Sequence, residues 1–181
     1  MKAEQESEFT EYVTGRSVSL GRTAHLLCGD WHKAEDLVQS VFIRLYAVWP
    51  RLRDRDALDA YVRKMLVRAY LNERRRPWRR EQPTEETPEV HASGGFGGVE
   101  SRMVLLGALA ELPPRQRAVI VLRYWEDYSL DDAATALGIS VGTVKSQAAR
   151  GLASLRGHLS PADDGSGEAE STAHEVRQGQ G

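Results

Sequence analysis

The chain has 181 residues, of which 41% are hydrophobic and 28% charged, and its formal net charge is −2. Such a composition is typical of a globular protein with one ordinary domain or two small ones. The sequence contains no run of about 18 apolar residues, which excludes insertion into a membrane. The acidic N-terminal segment lacks the apolar core of a signal peptide, and the single cysteine, Cys28, cannot form an internal disulfide. We therefore expect a cytoplasmic protein.

The charge is unevenly distributed along the chain. Residues 51–80 hold eleven basic side chains against four acidic ones, whereas residues 81–100 hold five acids and no base. The tail from residue 160 onward is acidic again, with five acids against one arginine. A basic block of this kind can contact phosphate groups while the whole chain stays close to neutral.

The first 80 residues show apolar positions at helical spacing, with no alternation of the kind that predicts β-strands. Asp30 is placed to cap one helix, Trp49-Pro50 to end it, and Gly29 to close one or two helices before it. The apolar stripe of the capped helix, and that of the helix that follows, are Ala34, Leu37, Val38, Val41, Phe42, Leu45 and Tyr46, and then Leu58, Tyr61, Val62, Met65, Leu66 and Ala69. We predict a helical bundle over residues 1–80.

Residues 81–99 are rich in Pro, Gly and acids and carry no stripe, which predicts a flexible linker. Helical periodicity returns over 100–159, where Pro113-Pro114 is placed to open a helix. The apolar positions of this second part begin Met103, Leu106, Leu109, Leu112, Val119, Val121, Leu122 and Tyr124. Residues 160–181 have few apolar positions and are expected to be disordered. The predicted fold class is all-α, with two small helical domains joined by a flexible linker.

Residues 129–155 have the layout of a helix-turn-helix. Ser129 is placed to cap a short helix over Leu130–Leu137, Gly138 permits the left-handed turn, and Ser140 caps a second helix from Val141. The polar residues on the outer side of the second helix are Thr143, Lys145, Ser146, Gln147 and Arg150. Gln and Arg can pair with base edges, and Lys suits phosphate. DNA reading is favoured, and a helical hairpin with a solvated outer face remains the alternative.

A second polar face lies on the helix predicted over Leu58–Arg75. Lys64, Arg68, Asn72 and Arg75 follow one another at steps of four, four and three residues, and an arginine-rich run containing Trp78 comes next. Arginine neutralises phosphate and aromatic rings stack on exposed bases, so this face suits nucleic acid. An ordinary solvated face is the alternative interpretation.

Three segments of the chain resemble parts of bacterial sigma factors, in the same order as in that family. Ala34–Leu45 is similar to the polymerase-binding motif of region two, and Glu111–Tyr124 to the start of region four. Val141–Leu152 resembles the DNA-reading helix of region four. The combination resembles the extracytoplasmic-function group, which lacks region three, and Asp59–Arg68 with the arginines after it is similar to actinobacterial members of the sigma-E type.

The resemblance implies a promoter-recognition subunit that binds core RNA polymerase at the β′ clamp helices and the β flap, reads the −35 duplex and melts the −10 element. For clamp binding it implies the residues Glu35, Asp36, Gln39, Phe42 and Arg44. For the −10 element it implies Leu52, Lys64, Arg68, Asn72, Arg75 and Arg76. For the −35 element it implies Thr143, Lys145, Ser146, Gln147 and Arg150. It further implies an anti-sigma protein as a partner, with the chain a monomer when free or in a 1:1 complex with that protein.

Two other classes of protein share some of these features. A repressor with a ligand-binding N-terminal domain would explain residues 129–156 but neither the 34–45 segment nor the arginine block. A zinc protein could use His25, Cys28 and His32, but Gly29-Asp30 breaks the helix between them, so a core cysteine beside two surface histidines is preferred. Asp131-Asp132 are interpreted as cap residues rather than a catalytic pair. We therefore expect no enzyme activity, no cofactor and no metal.

Overall fold

In the computed structural model, residues 3–52, 57–75 and 99–159 are described. Seven α-helices follow in this part of the chain: α1 (Ala3–Cys28), α2 (Trp31–Val48), α3 (Leu58–Arg75), α4 (Val99–Glu111), α5 (Pro114–Ile120), α6 (Leu130–Leu137) and α7 (Val141–Leu159). A 3-10 turn, Trp49–Arg51, follows α2, and a π-helical turn, Val121–Trp125, follows α5. No strand occurs within these residues, so the predicted all-α class is confirmed for them. None of their helices is long and apolar enough to span a membrane.

The helix ends follow the predicted local chemistry. The carboxylate of Asp30 accepts a hydrogen bond from Lys33 N at 2.7 Å and caps α2. Ser129 accepts from Asp132 N at 3.0 Å, and Ser140 accepts from Thr143 N at 3.1 Å. Gly138, at φ 66°, ends α6 in the left-handed conformation that a residue without Cβ adopts at no steric cost. The start of α2 and the whole helix-turn-helix are therefore encoded by single polar or glycine residues.

Helices α1, α2 and α3 form the first module, whose core is large. Ala24, Leu27, Leu37, Val41 and Leu45 of α1 and α2 are fully buried, together with residues of α3. Phe9 and Tyr12 of α1 pack their rings on Trp49, with centroids 5.1 and 5.6 Å apart. These aromatic contacts support α1 as one long helix over Ala3–Cys28, because its N-terminal half packs on the end of α2.

Helices α4 to α7 form the second module, which packs directly against the first. Ala118, Val121, Leu122 and Ala136 belong to the same buried cluster as the core of α1, α2 and α3. Two smaller clusters complete the second module, one around Leu109 and Leu112 and one between α6 and α7. The predicted linker, residues 81–99, and the predicted tail, residues 160–181, lie outside the described residues, except that Val99 begins α4. The domain boundaries at 80 and 100 stay predictions.

Four residues that the apolar stripes assigned to the core lie at its edge instead. Tyr46 and Tyr61 are about two-fifths exposed, and Met103 and Tyr124 are about half exposed. Each of them flanks a stripe whose centre is occupied by smaller aliphatic side chains that fill the interior. The histidine expectation was also wrong for His25, which is buried and stacked on Trp31 with ring centroids 4.0 Å apart.

Candidate nucleic-acid interface

The predicted −35 residues lie along one side of α7. Lys145, Ser146 and Arg150 are exposed, and Thr143 and Gln147 are half-buried. On the opposite side of α7, Val144 and Ala148 pack against α6 and fix the position of α7 relative to it. The five polar residues are called the reading face below. Its position follows from the burial of the small residues of α6, because they let α7 cross closely and leave its polar side outward.

Two hydroxyls of the reading face already have partners within the helix. Ser146 Oγ donates to Thr143 O at 3.0 Å, and Thr143 Oγ1 lies 2.8 Å from Ser140 Oγ. Lys145 and Arg150 are exposed cations on the same helix. The two hydroxyls therefore strengthen the start of α7, and the prediction of DNA contact rests mainly on the cations and the Gln147 amide.

The predicted −10 residues lie mainly on α3. Lys64 is half-buried, Arg68 and Asn72 are exposed, and these three are called the melting face below. Arg75 is the last residue of α3, and its side chain is outside the described residues, as is all of Arg76. Leu52 lies apart from them, half-buried against the core of the first module. The structure therefore brings three of the six predicted residues onto one helix face.

The predicted polymerase-binding residues lie on α2. Glu35, Asp36, Gln39 and Arg44 are exposed, whereas Phe42 is half-buried and packs on the core. Two residues that the sequence reading missed belong to the exposed part of α2: Ile43 is 71% exposed and Tyr46 is 43% exposed. Three residues apart on one helix, these two side chains add apolar surface beside the exposed polar residues of α2. The sequence did contain a sign of this, because Ile43 falls outside the predicted apolar stripe of α2 and is therefore expected to be exposed. The exposed residues of α2 are called the docking face below.

Two residues of the melting face and two of the reading face line one crevice between α3 and α7. Arg68 and Asn72 of α3, with Thr143 and Gln147 of α7, line a cavity of about 230 Å³. Arg68 Nε donates a hydrogen bond to Ala136 O of α6 at 3.0 Å. Sequence reasoning assigned both faces to DNA but gave no reason to expect them next to each other.

A buried arginine joins the two modules nearby. Arg117 of α5 is 5% exposed, and its guanidinium donates to Leu27 O at 2.8 Å, to Leu112 O at 3.4 Å and to Ala110 O. These carbonyls end α1 and α4, where helices leave acceptors without partners. Burial lowers the pKa of Arg117, although arginine is basic enough to stay charged. Its position within a family motif gave no hint of this role.

The single cysteine lies close to the same boundary. Burial raises the pKa of Cys28 to about 12, so the thiol is protonated at neutral pH and unreactive as a nucleophile. Within the described residues, no group of three His, Cys, Asp or Glu side chains is arranged to hold a metal ion.

Comparison with known proteins assigns both modules. Residues 19–80 match the family described as Sigma-70 region 2, and residues 102–155 match Sigma-70, region 4. The RNA polymerase sigma-E factor of Streptomyces coelicolor is 40% identical over 156 residues, which cover 84% of this chain and 86% of that protein. The sigma-E factor of Streptomyces avermitilis is 39% identical over 160 residues, covering 86% and 87%.

This chain belongs to the sigma-70 family. It is an RNA polymerase sigma factor of the extracytoplasmic-function type, which directs promoter-specific initiation of transcription. The resemblance inferred from the 34–45, 111–124 and 141–152 segments is thereby confirmed.

A solved structure supports the same conclusion for the fold. The sigma factor RpoE of Bartonella quintana, determined in complex with the anti-sigma factor NepR, superposes with a TM-score of 0.67 and 25% identity. The superposition covers 84% of this sigma factor and 96% of that chain. The architecture of a region 2 bundle and a region 4 helix-turn-helix is therefore shared along nearly the whole described chain.

Proposed function

We propose that three helix faces of this sigma factor make its contacts with polymerase and promoter. The reading face of α7 would bind the −35 duplex, the melting face of α3 with Leu52, Arg75 and Arg76 would capture the −10 element, and the docking face of α2 would bind the β′ clamp helices. The observation that carries the proposal is the capped helix-turn-helix, whose α7 packs its apolar side inward and presents Lys145, Gln147 and Arg150 on the other.

Melting at the −10 element needs no chemical fuel in this proposal. Unstacking one base costs a few kcal/mol, which capture of the extruded base by protein groups can offset. Arg68 and Asn72 supply a cation and an amide one turn apart on α3, and Lys64 supplies a second cation one turn earlier. Such a face holds phosphate and hydrogen-bonds an unstacked base, and it leaves the sequence choice to the flanking contacts.

The partners follow from these surfaces and from the relatives. Core polymerase would be held by the docking face and, through region 4, by the β flap. An anti-sigma protein would bind the chain 1:1, as NepR accompanies the RpoE of Bartonella quintana. The free chain would be a monomer in the cytoplasm, where polymerase works. We propose no enzyme activity, because the family acts by binding and the sequence contains no catalytic motif.

Run-off transcription with purified core polymerase tests the function directly. The sigma factor should start RNA at discrete genomic sites, and sequencing the transcript starts would define the promoter. A repressor would bind its site without polymerase and would start no RNA, so this experiment also separates the rival class.

Arg150→Ala tests the reading face. The variant should lose about 1–3 kcal/mol of promoter affinity, while its affinity for core polymerase stays unchanged. Arg156→Ala is the matched control, because Arg156 is an exposed arginine of α7 outside the reading face. Equal loss of promoter and polymerase binding in Arg150→Ala would contradict the assignment.

Ile43→Asp tests the docking face. A charge at the centre of a protein contact should lower core polymerase affinity at least tenfold without changing the melting temperature, because Ile43 is 71% exposed. Val18→Asp is the control, since Val18 of α1 is 64% exposed and lies outside the docking face. Binding curves of the two variants that coincide would remove α2 from the polymerase interface.

A further inference from the structure

The start of α3 is held against α1 by one carboxylate. Asp59 Oδ1 accepts hydrogen bonds from Tyr12 Oη and from Arg16 Nε, each at 3.0 Å. The other oxygen, Oδ2, lies 2.7 Å from Arg16 Nη2, so the guanidinium contacts both carboxylate oxygens. Paired contacts between a planar guanidinium and a carboxylate fix the relative orientation of the two groups as well as their distance. Asp59, Tyr12 and Arg16 are called the Asp59 network below.

Tyr12 connects the Asp59 network to the core of region 2. Its ring packs on Trp49 with centroids 5.6 Å apart, and Trp49 is 1% exposed directly after α2. The pKa of Tyr12 is raised, chiefly by burial and in lesser part by its hydrogen bond to Asp59, so the hydroxyl keeps its proton and remains a donor. Through this tyrosine the first turn of α3 is connected to the end of α2 as well as to α1.

The Asp59 network is too exposed to be a major source of stability. The side chains of Arg16 and Asp59 are 49% and 33% exposed, and ion pairs in contact with water contribute little to the free energy of unfolding. The stability of α3 comes instead from its apolar side, where Leu58, Val62 and Leu66 are buried. The network therefore restricts where the start of α3 lies more than it stabilises the fold.

The surroundings of Asp59 are unsuited to DNA. A groove of about 690 Å³ beside the network is lined by the carboxylates of Glu8, Glu11 and Asp59, and Glu8 and Glu11 are exposed. Among the described residues that line this groove, Arg16 is the only basic one. Three carboxylates against one guanidinium give the groove a negative charge, which repels phosphate groups. Any effect of Asp59 on DNA therefore comes from the placement of α3 and not from direct contact.

The placement of α3 matters because two surfaces have to work together. The docking face lies on α2, whereas the melting face begins at Lys64, five residues after Asp59 on α3. In the proposed function, polymerase holds α2 while groups of α3 capture bases of the −10 element. Hydrogen bonds weaken steeply when their distance or angle is wrong, so α3 has to be held in a defined position relative to α2. The Asp59 network can hold it there, because it joins α3 to α1 and to the end of α2.

We propose that Asp59 is a positioning residue for promoter melting, and that it acts through Tyr12 and Arg16 to fix the melting face relative to the docking face. The inference rests on the proposed function, because it takes α3 as the helix that captures the −10 element. Loss of the network leaves both faces chemically intact and lets the start of α3 move. The step affected is therefore opening of the duplex, not binding to core polymerase.

Run-off transcription from two templates tests this role with the full chain and core polymerase. One template is the intact duplex of a promoter to which transcript starts map, and the other carries non-complementary strands across the −10 element and needs no melting. Asp59→Ala removes every acceptor of the network and should lower initiation from the duplex about tenfold, because a charge-assisted contact is lost. Initiation from the premelted template should stay within about twofold of wild type, since no base has to be unstacked.

Glu6→Ala is the matched control. Like Asp59, Glu6 is an acidic residue in the first turn of a region 2 helix, and its side chain is exposed. The control should initiate from both templates as wild type does. In both variants the affinity for core polymerase should equal that of wild type, because the docking face on α2 is unchanged. A lower core affinity in Asp59→Ala would overturn the proposal.

A double-mutant cycle separates positioning from direct contact. Arg16→Gln removes the guanidinium that binds Asp59, and it should lower initiation from the duplex as Asp59→Ala does. If Asp59 acts through Arg16, the double variant is about as defective as the more defective single variant. Defects that multiply in the double variant would mean that Asp59 acts by another route, which would contradict the positioning role.

Distances measured in the free chain test the positioning itself. Nitroxide labels are placed at Lys33 on α2 and Ala60 on α3, both exposed, in a chain carrying Cys28→Ala. Asp59→Ala should broaden the distribution of distances between the labels, whereas Glu6→Ala should not. A distribution of unchanged width in Asp59→Ala would refute the proposal, because the network would then not fix α3.

The outcomes distinguish the positioning role from the function on which it rests. A defect confined to the duplex template, together with a broadened distance distribution, supports the proposal. Equal losses on both templates would mean a general defect, and unchanged initiation from the duplex would mean no role, so either result overturns it. Wild type that initiates from neither template would reject the proposed function and the melting role with it, and the distance measurement would still show whether Asp59 fixes α3.

Discussion

The two modules of this sigma factor reach their shapes in different ways. In the region 2 module, large side chains such as Trp49, Tyr70 and Leu37 are buried almost completely. In the helix-turn-helix of the region 4 module, three of the five buried core residues are alanines, namely Ala133, Ala134 and Ala148. The first module is thus stabilised by burial of large side chains. The helix-turn-helix depends more on the close approach that small side chains allow between its helices.

This difference fits what the two modules do. A surface for polymerase and a basic helix need a rigid platform, which a large core supplies. A reading helix needs one side free for the groove, and the small residues of α6 let α7 lie close without a wide apolar stripe. The cost is a small core, and region 4 shares part of its buried surface with region 2 through Val121, Leu122 and Ala136. The comparison predicts that mutations act according to the module and the boundary they affect.

The largest expected effect is that of Trp49→Ala in the first module. Trp49 is 1% exposed and packs edge-on against Phe9, so the truncation should cost about 3–5 kcal/mol in the free energy of unfolding. Urea unfolding followed by circular dichroism measures it, and Ile43→Ala on an exposed site of α2 is the control. A loss under 1 kcal/mol would show that the large core is not what holds region 2.

Arg117→Met tests whether region 4 relies on region 2. The variant keeps the length of the side chain but leaves the carbonyls of Leu27, Ala110 and Leu112 without a charged donor, which should cost about 3 kcal/mol. Arg115→Met, an exposed arginine two residues earlier, should change the stability by less than about 0.5 kcal/mol. Two separate unfolding transitions in Arg117→Met would mark the loss of coupling between modules, and equal stability of the two variants would refute it.

His25 gives a pH test of the same boundary. The pKa of His25 is lowered from 6.5 to about 4, chiefly by burial and in lesser part by the charge of Arg102 in the second module, while Asp30 acts in the opposite direction. Between these values the unfolded chain binds the proton and the folded chain does not, so the contribution is present above about pH 6.5 and is lost as the pH falls toward 4. We expect about 2–3 kcal/mol of pH-dependent stability from this group.

The measurement for His25 is a difference between two chains, because carboxylates also titrate in this range. His25→Phe keeps a ring beside Trp31 and removes the titration, so wild type and variant should diverge progressively as the pH falls. His32→Phe on the exposed start of α2 is the matched control. Parallel stability curves for wild type and His25→Phe from neutral pH to pH 4 would mean that the folded chain accepts the proton.

The sequence allowed the local features to be predicted and left the long-range ones open. Asp30, Ser129, Ser140 and Gly138 act on backbone within four residues, so their types and spacing were enough. The family motifs then predicted three functional faces, and these assignments stay predictions. An apolar stripe shows which side of a helix faces the core, but not how far around the helix the buried surface extends. For this reason Tyr61, at the edge of its stripe, was wrongly predicted to be buried.

Contacts between modules could not be read from spacing. Arg117 lies 90 residues from Leu27, and Arg63 pairs with Glu126 in a different family region. Nothing in the local pattern around Glu126 distinguishes it from Asp127, yet the first is shielded and the second is exposed. Such assignments depend on how two modules meet, which each module's own periodicity does not encode.

Gly151 lies where α7 packs closely on α5 within the region 4 module. The sequence pattern did not indicate this role. A Cβ at Gly151 would lie 2.8 Å from Ile120 Cγ1, because α7 crosses α5 at this point. Gly151→Ala should therefore cost about 1 kcal/mol net, since overpacking outweighs the gain in helix propensity. It should also weaken promoter binding, because α7 must shift to relieve the contact.

Gly157→Ala on the same helix is the matched control for Gly151. Among the described residues, no atom beyond the local backbone of α7 lies within 4 Å of a Cβ at Gly157, so the substitution should stabilise the chain by up to about 1 kcal/mol. The two glycines on one helix are thus expected to differ in the sign of their effect, which thermal unfolding of both variants measures. Stabilisation by both substitutions would mean that α5 and α7 can separate without loss, and close helix approach would no longer explain how region 4 holds its reading face.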